Sequence, residues 1–120
     1  MAKYITISTT IELVRIAPEH IVYISSDGNY STLIKADGQS KVMSYQLGKI
    51  EQIIEKQLGS KENVFIRVGK QYIVNRSYIH YINTQKQQLV LSDVINFSHT
   101  LMPSKEALKQ LKEYMEKEAK

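Results

Sequence analysis

Cysteine is absent from the chain of 120 residues, which excludes a disulfide scaffold, a thiolate metal site and a cysteine nucleophile together. The same absence fits a reducing compartment. No apolar run approaches the roughly 20 residues that a membrane-spanning helix needs. The N-terminal MAKYITISTTIELV lacks the apolar core and small-residue cleavage site of a signal peptide. These absences predict a soluble cytoplasmic protein with no membrane partner. The three histidines, His20, His80 and His99, include none that stands four residues from another His or from a Glu, so no zinc site is predicted. Neither GxGxxG nor GxxxxGK[ST] occurs, which leaves no phosphate cradle of those kinds. Ser98-His99 lacks the flanking glycines of a nucleophile elbow. The sequence predicts no enzyme, no cofactor, no metal and no small-molecule substrate.

Carboxylates are also missing from one long interval. Between Glu62 and Asp93 there is no acid, while Arg67, Lys70, Arg76 and Lys86 all fall there. Within it, RVGKQYIVNRSYIHYI interleaves basic residues with Tyr72, Tyr78 and Tyr81. The net charge of +4 is modest; the local field of one sign is what points to a polyanion partner. Acids gather instead at the C-terminus, as Glu106, Glu113, Glu116 and Glu118. With 42% hydrophobic and 23% charged residues, the composition is that of one folded domain.

Periodicity then divides the chain. YITIST, IELVRI and HIVYIS read as strands, with Pro18 between the last two. YSTLIK is predicted to turn back through a two-residue Asp37-Gly38 hairpin, and Asp27-Gly28-Asn29 is a second turn signal. Over residues 44–58 the apolar residues Leu47, Ile50, Ile53, Ile54 and Leu58 recur at three and four, which predicts a helix capped by Ser44 and ended by Gly59. No partner helix precedes it across a short turn, so a helix-turn-helix is not predicted. From Asn63 the period returns to two, through VFIRV, QYIVN, SYIHYI, QQLVLS and VINFSH. Residues 104–118 form a second amphipathic helix with the stripe Ala107, Leu108, Leu111 and Met115. A helix of this length is marginal alone in water, so its stripe is expected to pack on its own chain, the alternative being the same helix of a second copy. The fold class is mostly β with two helices: residues 1–103 as the domain and 104–120 as a helical extension packed on it.

At FIRVGKQYIVNRSYI, residues 65–79, the sequence resembles the LytTR family of bacterial DNA-binding domains. Phe65, Arg67, Val68, Lys70, Tyr72, Ile73, Val74, Asn75 and Ile79 match its pattern. HIVYISSDGNYS (20–31), SYQLGKIEQII (44–54) and, more weakly, INFSHT (95–100) agree with further blocks in order and spacing. The likeness covers about residues 5–102. Gly69 stands where the family usually has His, and Gln71 where it has Ser. The resemblance implies small antiparallel sheets in an elongated sandwich-like fold. It implies sequence-specific binding of double-stranded DNA by loops in successive major grooves, as in the output domain of a two-component response regulator controlling transcription. A second copy on repeated half-sites is a further partner of that kind. The family commonly follows a receiver domain and none precedes the match, so the chain is either free-standing or an excised domain.

Carried over position by position, the first reading loop is Asn29, Tyr30, Ser31 and Thr32. The second is Gly69, Lys70, Gln71 and Tyr72, and the third is Ser98, His99 and Thr100 with Lys105 nearby. Lys reaches guanine O6 or N7, and Gln pairs with adenine N6 and N7. Arg67, Arg76 and Lys86 are expected to hold phosphates, which sets register without reading bases, and Asn75 completes the set. Plainer alternatives stand beside several of these. Gly28-Asn29 serves a hairpin turn, Tyr72 a core and Asn75 a turn cap. The alternative function is a β-rich protein-interaction module without direct DNA readout.

Overall fold

The computed structural model describes residues 3–119. Ten strands lie in three antiparallel sheets with two helices, as the fold class predicts. Strands β1 (Ile5–Ser8) and β2 (Leu13–Ile16) pair as a small hairpin. The central sheet has the order β5-β4-β3-β7-β6. Its members are β3 (Ile21–Asp27), β4 (Tyr30–Lys35), β5 (Ser40–Met43), β6 (Phe65–Val68) and β7 (Tyr72–Asn75). The third sheet pairs β8 (Ile79–Asn83), β9 (Gln88–Ser92) and β10 (Ser98–Leu101) in the order β10-β9-β8.

The central sheet is buried on both faces, so its strands alternate between two cores. In β7, Ile73 joins a core made with the β1–β2 hairpin and helix α1 (Leu47–Glu62), while Tyr72 and Val74 join one made with the third sheet and helix α2 (Lys105–Glu118). A bulge in β3 between Ile21 and Tyr23 sends Val22 and Tyr23 to the same side, and both pack in the second core. Stacking three layers gives a body of 43 × 34 × 27 Å.

Several boundaries differ from the predicted ones. Ser44 does not cap α1; the helix starts at Leu47 after Gln46, whose side chain makes no cap bond. Residues 44–45 form a bend between β5 and α1, where the Tyr45 carbonyl accepts from Ser31 Oγ at 2.7 Å and the Tyr45 hydroxyl donates to the Ser8 carbonyl at 2.6 Å. Gly59 does interrupt the helix, at φ +72°, and one further turn follows it to Glu62. The β4–β5 connection spans residues 36–39 rather than two residues, with Asp37 Oδ1 accepting from the Gln39 N–H. SYIHYI opens with a 3-10 turn, Arg76–Tyr78, before β8.

VINFSH is a loop up to Ser98. The Asp93 carboxylate accepts the N–H groups of Ile95, Asn96 and Phe97 at 2.7–3.1 Å. Loss of water around this carboxylate works to raise its pKa, but the backbone donors of Asn96, Phe97 and Ile95 and the Asn96 side chain hold it down at about 2. A segment whose donors are taken this way has none left for a ladder. No helix among the described residues is long and apolar enough to cross a membrane.

Candidate functional site

Four connections meet at one end of the central sheet. Strands β3 and β7 run antiparallel with Ser25 opposite Tyr72, so the β3–β4 turn and the β6–β7 turn emerge together. The Ser26 N–H donates to the Gln71 carbonyl at 2.8 Å and joins them. The link from β10 to α2 arrives beside the second turn. Its Pro103 and Ser104, with Ala107 and Gln110 of α2, face Val68, Gly69, Lys70, Gln71 and Tyr72 across an open cleft of about 490 Å³. The β8–β9 turn completes the group, because Gln87 Nε2 donates to the Pro103 carbonyl at 3.1 Å.

Sequence chemistry explains each turn. Gly28 closes the first at φ +63°, a conformation glycine adopts freely. Gly69 opens the second at φ +64°, where an added Cβ would stand 3.2 Å from Ala107 Cβ. Gly69→Ala is therefore expected to cost about 1–2 kcal/mol, from the left-handed backbone alone, with further strain where Ala107 must move. Urea unfolding monitored by circular dichroism checks it; an unchanged midpoint would show that the turn accepts another backbone.

Lysines mark this end. Lys70 on the β6–β7 turn, Lys86 on the β8–β9 turn and Lys105 at the start of α2 are all exposed. None of the three takes part in an ion pair among the described residues. Asn29, Gln71, Ser98 and Thr100 are also exposed, Tyr30 is 51% exposed, and Thr32 is half-buried beside it. The third group lies on strand β10 rather than on a loop, so Ser98 and Thr100 face one way and His99 the other.

Four other expected contact residues are buried or half-buried, each for a physical cause. Ser31 is fully buried and donates to the Tyr45 carbonyl. Asn75 is 1% exposed: its amide donates to the carbonyls of Pro18 and Ile21 at 3.2 and 3.0 Å, and its Oδ1 accepts from the Ser77 N–H. It caps a turn, the plainer alternative. Tyr72 is half-buried with its ring edge-on to Tyr23 at 6.2 Å. The half-buried His99 ring lies between Tyr23 at 5.6 Å and Phe97 at 5.7 Å, at the edge of the second core.

Two arginines expected on phosphates have partners within the chain. Arg67 pairs with Glu51 of α1 at 2.8 Å and donates to the carbonyls of Gly69 and Lys70 at 3.0 and 3.2 Å. Arg76, at the far end of β7, donates to Tyr114 Oη at 2.7 Å and to Glu118 at 3.0 Å on α2. Gln46, absent from the expected set, belongs to the site: its Nε2 donates to Asn29 Oδ1 at 3.0 Å. No sequence signal marks that pair. Among the described residues no cluster of three metal-ligating side chains occurs.

The arrangement offers exposed cations and amides on turns, while the α1 stripe of Leu47, Ile50, Ile54 and Leu58 is buried. The family model described as the LytTr DNA-binding domain matches residues 12–116, a span that runs into α2. Among solved structures, the chain is similar to the LytTr DNA-binding domain of a response regulator from Bacillus cereus, at TM-score 0.63 and 17% identity over 96% of this chain and 98% of that one. No curated protein matches it.

Proposed function

The chain belongs to the LytTr DNA-binding domain family, and from that membership we propose that it binds double-stranded DNA sequence-specifically, through turns rather than a helix, as a transcription regulator of the response-regulator output type. The observation that carries this reading is the meeting of four connections at one sheet end, with Lys70, Lys86 and Lys105 exposed and unpaired there. Lys70 and Gln71 on the second turn have the chemistry to meet guanine and adenine edges. Asn29, Tyr30 and Thr32 offer amide and hydroxyl groups from the first turn, and Ser98 and Thr100 offer hydroxyls from β10. Lys86 and Lys105 suit phosphates, which fix register. A body 43 Å long has the reach for two neighbouring major grooves, about 34 Å apart along one face of a duplex.

Selecting bound sites from random duplex DNA, then titrating the selected duplex at several salt concentrations, tests the reading. The affinity is expected to fall linearly on a log–log scale, each lysine that neutralises a phosphate contributing about −0.9 to the slope. An affinity indifferent to salt, or no enrichment of any sequence, would remove it.

A further inference from the structure

Arg67 sits in the basic stretch that resembles a phosphate-binding surface, yet its side chain is spent inside the fold. Strand β6 turns Arg67 toward α1, the same side as Phe65 and Ile73. Its guanidinium there makes three contacts in different directions. One Nη meets the Glu51 carboxylate at 2.8 Å, Nε meets the Gly69 carbonyl at 3.0 Å, and the other Nη meets the Lys70 carbonyl at 3.2 Å. The two side chains are 29% and 34% exposed. A planar fork with fixed donors suits this task in a way that a lysine ammonium does not. The turn that carries Lys70 and Gln71 is thereby wrapped around one guanidinium, and that guanidinium is anchored to α1.

The same helix reaches the other reading turn. Gln46, just before α1, donates to Asn29 on the β3–β4 turn. Gln46 and Glu51 are five residues apart along one stiff element, whose buried stripe fixes it to the central sheet. We propose that α1 is a strut that sets the geometry of DNA reading, with Glu51 and Arg67 as positioning residues for the Lys70–Gln71 turn and Gln46 as one for Asn29. The inference rests on the reading of this end as the DNA surface. Its physical basis is preorganisation: a turn held before binding loses less freedom on binding, and its side chains meet the intended bases.

The sign of the effect separates positioning from simple charge. Glu51→Ala removes a negative charge from a DNA-binding protein, so electrostatics alone predicts tighter binding to every duplex. Positioning predicts the reverse for the selected duplex: a drop in discrimination between it and a duplex changed at the base that Lys70 reads. The expected drop is about five- to tenfold, the worth of one hydrogen-bonded anchor, with the salt slope unchanged. Arg67→Lys keeps the charge and loses the fork; it is expected to behave like Glu51→Ala, whereas a phosphate-contacting Arg67 would be rescued by lysine. Gln46→Ala, at an exposed site that the fold does not need, is expected to relax a different base position. Thermal unfolding of each variant confirms that it is folded under the binding conditions.

Lys70→Ala measured alongside distinguishes the two levels. Full discrimination retained by Lys70→Ala would overturn the DNA-reading role of this end and the strut with it. Discrimination lost in Lys70→Ala but kept in Glu51→Ala and Arg67→Lys would overturn the strut alone.

Discussion

On a duplex selected by the wild-type protein, Lys70→Ala is expected to weaken binding by about 1–3 kcal/mol and to relax preference at one base position. On a duplex already changed at that position, the loss should be much smaller. The reason is local. Lys70 lies at the centre of the β6–β7 turn, its carbonyl is held by Arg67 and its side chain is exposed and unpaired. A cation displayed from a clamped turn can meet the paired acceptors of guanine, while one on a loose loop would average over phosphates. Lys86 and Lys105 supply the contrast. The loss for Lys86→Ala should be equal on both duplexes, with a salt slope flatter by about one unit. Equal losses for Lys70→Ala on both duplexes would make Lys70 a phosphate contact as well and remove the base-reading role of this end.

The sequence showed the architecture more plainly than the site. Hydrophobic period is a local property, so the α1 stripe and the alternation of β6 and β7 were visible without tertiary information. The boundaries were harder where a distant partner decided them. Ser44 has the right chemistry for a cap, but the segment is a bend in which the Tyr45 carbonyl accepts from Ser31 and the Tyr45 hydroxyl donates to the Ser8 carbonyl. VINFSH has strand composition, yet the Asp93 carboxylate takes three of its N–H groups. A cap or a ladder bond is won by whichever partner the fold brings closer, and residue preference alone does not reveal it.

One part of the site was legible through the resemblance, which implies a loop at Gly69-Lys70-Gln71; the structure has an exposed turn there, with Gly69 at positive φ. Arginine is more ambiguous. An arginine aimed at a phosphate and one clasping a backbone turn look alike in sequence. The carboxylates that decide the matter for Arg67 and Arg76 are 16 and 42 residues away. Ser31 and Asn75 pose the same difficulty, since a small polar residue serves a buried hydrogen bond as well as an exposed one. His99 was placed by strand parity, which depends on where β10 begins, and the Asp93 loop delays that start to Ser98.

Leu111→Glu is expected to have the largest effect on stability. Leu111 is 3% exposed in the core that α2 forms with Val68, Val74, Leu89 and Leu101. Removing such a leucine costs about 2–5 kcal/mol, and a carboxylate in its place has no partner in that core, which adds to the loss. A total of about 4 kcal/mol or more is a large share of the roughly 5–15 kcal/mol that holds a domain folded. Lys109→Glu, on the exposed side of α2, should stay within about 0.5 kcal/mol. The outer face of α2 also speaks against a helix-mediated pair. Lys109, Gln110, Lys112, Glu113 and Glu116 are all exposed there, while Met115 packs inward and Tyr114 is engaged by Arg76. With Ala107, Leu108 and Leu111 already covered by the chain's own sheets, no apolar stripe is left for a second copy. Free wild-type protein is accordingly expected to sediment as a monomer, and Leu111→Glu as a monomer that unfolds at lower urea. A wild-type dimer that becomes a stable, folded monomer on Leu111→Glu would reverse the assignment and make α2 the interface.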